Sequence, residues 1–145
     1  MRELDMKTYI IILSKYFMKE HPRAGEETHF KEKFLAGEKI HTIRRNLPLW
    51  QKRFEQINKG EACLSIRQWT GKPYVSKQVE IKRLAKEDGI GLQAYTYYGA
   101  FDPIKKPALA YNDGLSKYDW ESWFKDVPRG NSLAIIHFTK FRYNF

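Results

Sequence analysis

The chain holds a single cysteine, Cys63, among 145 residues, so neither an intramolecular disulfide nor a cysteine-built zinc site is open to it. Long apolar runs are missing too. The longest, residues 9–13, falls far short of the roughly 20 residues that cross a bilayer. No signal-peptide pattern is present, and together with the cysteine poverty this predicts a cytoplasmic protein with no membrane partner. The four histidines, His21, His29, His41 and His137, never stand two or four residues apart, so spacing offers no metal site. A G-x-S-x-G nucleophile elbow is absent, and Cys63 falls mid-strand without a positioned histidine, which makes it a small packed side chain. Gly89-Ile90-Gly91-Leu92-Gln93-Ala94 imitates a dinucleotide fingerprint, but a strand pattern follows where a helix is required. Those glycines read as turn residues, and no cofactor is expected.

Acid is the scarcer charge: 17 Asp and Glu stand against 26 Lys and Arg, for a formal charge of +9. The imbalance is local. Residues 1–60 carry 13 basic and 8 acidic side chains, residues 61–86 carry 6 and 2, and residues 87–145 carry 7 and 7. A concentrated basic surface draws polyanions by releasing their counterions, which makes nucleic acid the first partner to consider. The alternative is that the charge only keeps a small protein soluble. Nine Tyr, nine Phe and four Trp supply enough apolar mass for a core, and the length suits one domain over residues 1–145.

Periodicity predicts six strands and three short helices. Strands are expected at residues 8–13, 39–45, 61–69, 74–84, 90–98 and 132–141, the third and fourth forming a hairpin. Val75, Val79 and Ile81 are expected to point inward on its return strand, opposite the polar face of Ser76, Gln78, Glu80 and Lys82. Helices are expected at 26–36, closed by Gly37; at 47–58, with Pro48 near its start; and at 116–125, with Ser116 as N-cap. A loop holding Pro103 and Pro107 lies before the third. The sum is an α+β, barrel-like fold and not a parallel α/β sheet.

The segment Gly37-Glu38-Lys39-Ile40-His41-Thr42-Ile43-Arg44 concentrates chemistry at a helix-to-strand turn. A glycine there lets backbone approach a ligand, and a lysine, a hydroxyl and an arginine together suit a phosphate or a polarised carbonyl. A solvated strand end with ordinary surface cations fits the same pattern. Arg67, Trp69, Lys72 and Tyr74 cluster at the hairpin turn, where aromatics beside cations stack exposed bases. Trp69 equally suits the end of a barrel core.

Residues 34–44 resemble the G-x-K-x-x-T-x-R signature of ASCH domains, relatives of the PUA domain. Lys59-Gly60-Glu61-Ala62, Asn112-Asp113-Gly114-Leu115-Ser116 with Asp119-Trp120 and Trp123-Phe124, and Ile135-Ile136-His137-Phe138 resemble further parts of that family, so the likeness spans residues 8–142. It implies a small PUA-like β-barrel of about six strands with peripheral helices. It also implies an RNA- or modified-nucleoside-binding cleft at Gly37, Lys39, Thr42 and Arg44, to which the hairpin cluster, on its own chemistry, adds Arg67 and Trp69 as candidate ligand contacts. One branch of the family hydrolyses the amide of acetylated cytidine with the motif's Lys and Thr and an acid. Carried over, Lys39 would be base and activator, and Thr42 nucleophile or oxyanion partner. The likeness at the downstream helix start places Asp113 as the acid, while Glu80, on the polar strand face, competes on geometry. A third reading is a partner-binding module with no small-molecule site.

Overall fold

The computed structural model describes residues 6–97 and 106–144, in which six strands form two sheets alongside four α-helices. In chain order these are β1 (Lys7–Ile12), α1 (Phe30–Leu35), β2 (His41–Arg44), α2 (Leu47–Asn58), β3 (Ala62–Trp69), β4 (Gln78–Leu84), a 3-10 turn (Lys86–Asp88), β5 (Gly91–Thr96), α3 (Lys106–Asn112), α4 (Lys117–Trp123) and β6 (Ser132–His137). The first sheet runs β1-β3-β4 and the second β2-β6-β5. The β1 strand lies parallel to β3, with Lys7 opposite Ala62 and Ile12 opposite Arg67; every other pairing is antiparallel. β3 is the middle strand of its sheet, and Ala62, Cys63, Leu64, Ser65 and Ile66 are all buried. Such a continuous buried run is what cover on both faces of a central strand produces.

Three local expectations are corrected. In β4, Ile66 faces Lys82 but Arg67 faces Glu80, so Ile81 is an extra residue in a bulge. The bulge resets the inside-outside alternation: Val79 is exposed, and Val75 sits in the turn before the strand and is exposed as well. α1 starts at Phe30 instead of residue 26. Phe17 N donates to Glu26 O at 2.9 Å and Thr28 N to Lys15 O at 2.9 Å, so residues 26–28 are drawn out against residues 15–17. The Thr28 hydroxyl completes that turn, donating to Ser14 O at 2.5 Å and accepting from Phe30 N at 3.2 Å. Finally, Pro107 lies inside a helix, α3, where a loop was expected. As the second helical residue it forfeits no intrahelical bond. Pro103 lies outside the described residues.

α2 matches its expected bounds. The Asn46 side chain accepts from Leu49 N, and Trp50, Phe54 and Ile57 are buried on one face. That face touches β3 of one sheet and β5 and β6 of the other, so α2 joins the two sheets over a common core. Leu64 and Ile66 from β3, Ile135 and Ile136 from β6, Leu109 from α3 and Trp120 from α4 complete it, each at most 1% exposed. No helix among the described residues is long and apolar enough to cross a membrane. Ile66→Ala should lower unfolding stability by roughly 2–5 kcal/mol, since it removes buried methylenes and leaves a cavity. Urea denaturation monitored by tryptophan fluorescence measures this, and a loss below about 1 kcal/mol would contradict the packing described.

Candidate functional site

Two helix ends build the centre of the site, and both close in the same way. After α1, Gly37 takes φ +77°, Glu38 N returns to Lys33 O at 2.9 Å and Gly37 N to Phe34 O at 3.2 Å. After α3, Gly114 takes φ +84°, Leu115 N returns to Ala110 O at 2.9 Å and Gly114 N to Tyr111 O at 2.9 Å. Each is a Schellman turn, which needs a left-handed residue that glycine adopts without strain. The two turns meet: Ile40 N donates to Asn112 O at 2.9 Å. A Cβ at Gly114 would stand 3.3 Å from both Cβ and Cδ of Lys39 and 3.3 Å from Phe30, so glycine here admits the lysine chain.

Lys39, 2% exposed, donates through Nζ to Asp113 O at 2.6 Å and Oδ1 at 3.1 Å, and lies 4.3 Å from the Phe30 ring centre. Burial pulls its ammonium below the usual lysine range, against the stabilising pull of Asp113; Arg44 and Lys33 add to the lowering. Lys39, Thr42, Arg44 and Asp113 line a recess of about 50 Å³ whose apolar walls include Phe30, Trp123 and Phe124. That volume suits a few water molecules or the edge of a ligand, not a whole nucleoside. Arg44 donates through Nη2 to Ile12 O at 2.6 Å, and its Nε is buried without a partner among the described residues. Burial lowers its pKa too.

Ser14 and Arg44 also line a second, open groove of about 540 Å³. One wall is the chain from Ser14 to Lys19; the other carries Trp69, Pro73, Tyr74 and Gln78. Trp69 and Tyr74 lie 5.4 Å apart with their rings inclined at 50°, and Tyr74 is 88% exposed. The recess thus adjoins an aromatic, basic trough across Ser14 and Arg44.

Of the residues singled out in the sequence, Lys39, Thr42, Arg44 and Asp113 come together, and Trp69 lines the adjoining groove. Glu80 does not join them. It accepts hydrogen bonds from Ser65 Oγ and from Arg83 Nη2, which hold its carboxyl below the usual range, and it lines neither recess nor groove. Arg67 turns to Ser65 Oγ at 2.9 Å and Gln78 Oε1 at 3.2 Å. Gly37 has open space where a Cβ would stand and is outside both linings, so its part is the turn; the close approach belongs to Gly114. Sequence spacing missed His41, whose Nδ1 lies 3.4 Å from Asp113 Oδ1. It also missed Asn112 and Tyr143 behind it. His41 and His137 are register partners on β2 and β6, a signal visible only once those strands are paired.

Comparison of the chain with family models, with curated proteins and with solved structures gave no match. The reading of this site rests on its geometry and its residue chemistry.

The histidine behind the site yields a pH dependence. Burial, then His41 and then Arg142, lower the His137 pKa from 6.5 to about 3. Between those values the unfolded chain takes up a proton that the folded one refuses, so stability is full above pH 6.5 and falls as the pH drops. From pH 7.5 to pH 5 this one group should remove about 2 kcal/mol. Urea unfolding at the two pH values should show that loss in the parent protein and a clearly smaller one in His137→Gln; equal losses would contradict a buried neutral ring.

Proposed function

We propose that the chain binds a nucleoside, free or within single-stranded RNA, with the base edge in the recess and its neighbours along the groove. The observation that carries this reading is that the recess and the groove share Ser14 and Arg44 in their linings and so lie side by side. A small polar recess suits a base's hydrogen-bonding edge, and the half-buried Trp69 with the exposed Tyr74 suits stacking, worth about 1–3 kcal/mol per base. Lys15 and Lys19 on the facing wall suit phosphates. The resemblance to ASCH domains points the same way. It also leads us to read the two three-stranded sheets, bridged by α2, as an open version of a small PUA-like barrel. Binding to a single-stranded oligoribonucleotide should weaken steeply with salt and fall about tenfold or more in Trp69→Ala and in Arg44→Ala. Fluorescence anisotropy at low and high salt measures this; no binding at low salt by the parent protein would end the proposal.

A second reading, hydrolysis of an acylated nucleoside, is favoured by one observation: a buried lysine with a lowered pKa, its carboxylate partner and a threonine share one small recess. A lysine nearer neutrality serves as a base, and a threonine beside such a base becomes a nucleophile. On this reading the protein deacetylates acetylcytidine, and Thr42→Ala and Lys39→Ala each lose at least about a hundredfold in rate. Chromatographic assay of cytidine release decides it, and turnover that survives Thr42→Ala removes Thr42 from the chemistry.

A further inference from the structure

Behind Asp113, a group of buried and half-buried polar side chains joins five parts of the chain. His41 on β2 and His137 on β6 have no exposed surface and sit ring to ring at 5.6 Å, nearly perpendicular. Gln93 comes from β5, Asn112 ends α3, and Tyr143 belongs to the tail that follows β6. The tail is stitched in place: Tyr143 N donates to Gln93 Oε1 at 2.9 Å, and Gln93 Nε2 returns to Tyr143 O at 3.0 Å. Gln93 Oε1 also faces His137 Nε2 at 2.8 Å, so that ring carries its proton on Nε2.

Donors and acceptors then decide the other histidine. Tyr143 Oη lies 2.7 Å from His41 Nε2 and accepts from Asn112 Nδ2 at 3.1 Å. With Asn112 donating, the tyrosine proton has one acceptor left, the lone pair of His41 Nε2. Burial pushes Tyr143 up to about 12, so its hydroxyl keeps that proton at any ordinary pH. A His41 ring that carries one proton then bears it on Nδ1, which lies 3.4 Å from Asp113 Oδ1 without forming a hydrogen bond.

We propose that Tyr143 and His41 are positioning residues for the candidate site: the Tyr143 hydroxyl sets the His41 tautomer, and the Nδ1–H so fixed turns its positive end toward the Asp113 carboxylate that Lys39 holds, an electrostatic contact at 3.4 Å and not a hydrogen bond. The Lys39 hydrogen bond and the His41 contact both fall on Oδ1, and no described group bonds Oδ2. The carboxylate is therefore held by one oxygen and offers the other to a ligand in the recess. The residue that sets this lies beyond the last strand, 102 positions after His41, and touches neither recess nor groove. The ligand part of this inference rests on the nucleoside reading above; the tautomer does not.

Long-range nitrogen–proton correlation spectra of the uniformly labelled protein test the tautomer without any ligand. A pyrrole-type Nδ1 and a pyridine-type Nε2 are expected for His41 in the parent protein, with loss of that pattern in Tyr143→Phe. A pyrrole-type Nε2 in the parent protein overturns the proposal, whether or not any variant folds. The ligand arm uses two isosteres and the single-stranded oligoribonucleotide. His41→Asn keeps an N–H where Nδ1 stands and should bind within about threefold of the parent, whereas His41→Gln keeps one where Nε2 stands and should bind about tenfold more weakly. Equal losses in the two isosteres would mean that His41 only fills space and would also overturn the proposal. If the parent protein binds no oligoribonucleotide, the nucleoside reading fails and the ring-nitrogen spectra alone decide the tautomer.

Discussion

The ion pair between Lys39 and Asp113 constrains everything around it. Both side chains are nearly sealed, at 2% and 5% exposure. Their desolvation is offset only if the geometry is kept and the remaining donors are used. Lys39 meets this by giving hydrogens to both the backbone oxygen and the carboxylate of Asp113. Displacing either partner would leave a buried charge unpaired, a change that costs about 3–5 kcal/mol in comparable sites. The end of α1, the start of β2, the end of α3 and the start of α4 therefore have one mutually consistent arrangement. The tripeptide Asn112-Asp113-Gly114 shows how dense that arrangement is. Asn112 receives the β2 backbone and holds the tail, Asp113 pairs with Lys39, and Gly114 leaves the space the lysine occupies.

What the sequence made legible was whatever local chemistry dictates. Leu47–Asn58, the Ser116 cap accepting from Asp119 N, and the turn at Gly37 were readable because each depends on residues within one or two helical turns. The cluster of Lys39, Thr42 and Arg44 was readable as a clustering of cations and a hydroxyl at one turn. Asp113 entered through resemblance, and only the fold separates it from Glu80 as the partner of Lys39. The remainder was hidden by non-local pairing. The bulge at Ile81 depends on its match to β3, and the late start of α1 depends on the bridge between Tyr16 and Glu27. His41 and Tyr143 meet only after β2, β5, β6 and the tail have come together.

The basic excess and the buried site act over different distances. Charges on the surface of residues 1–86 steer a polyanion from afar and fade within about a Debye length in physiological salt. Inside the recess, two cations face one carboxylate in surroundings that water screens poorly, so few groups decide what fits. Lys15 and Lys19 stand between these regimes, on the groove wall that leads inward. On the proposed nucleoside reading, such an arrangement would separate capture from discrimination: general charge would bring a ligand to the trough, and a handful of fixed donors and acceptors would read it.

The pairing of β2 has a consequence for how the protein comes into being. Among the described residues, the strand that carries His41, Thr42 and Arg44 has one hydrogen-bonded neighbour, β6, which follows β1, β3, β4 and β5 in the chain. As the chain leaves the ribosome, β1, β3 and β4 can assemble as a sheet while β2 waits with its backbone groups unpaired. The recess closes only when residues 132–137 arrive and the tail docks behind them. A chain that stops before β6 would carry the motif on a strand with no partner.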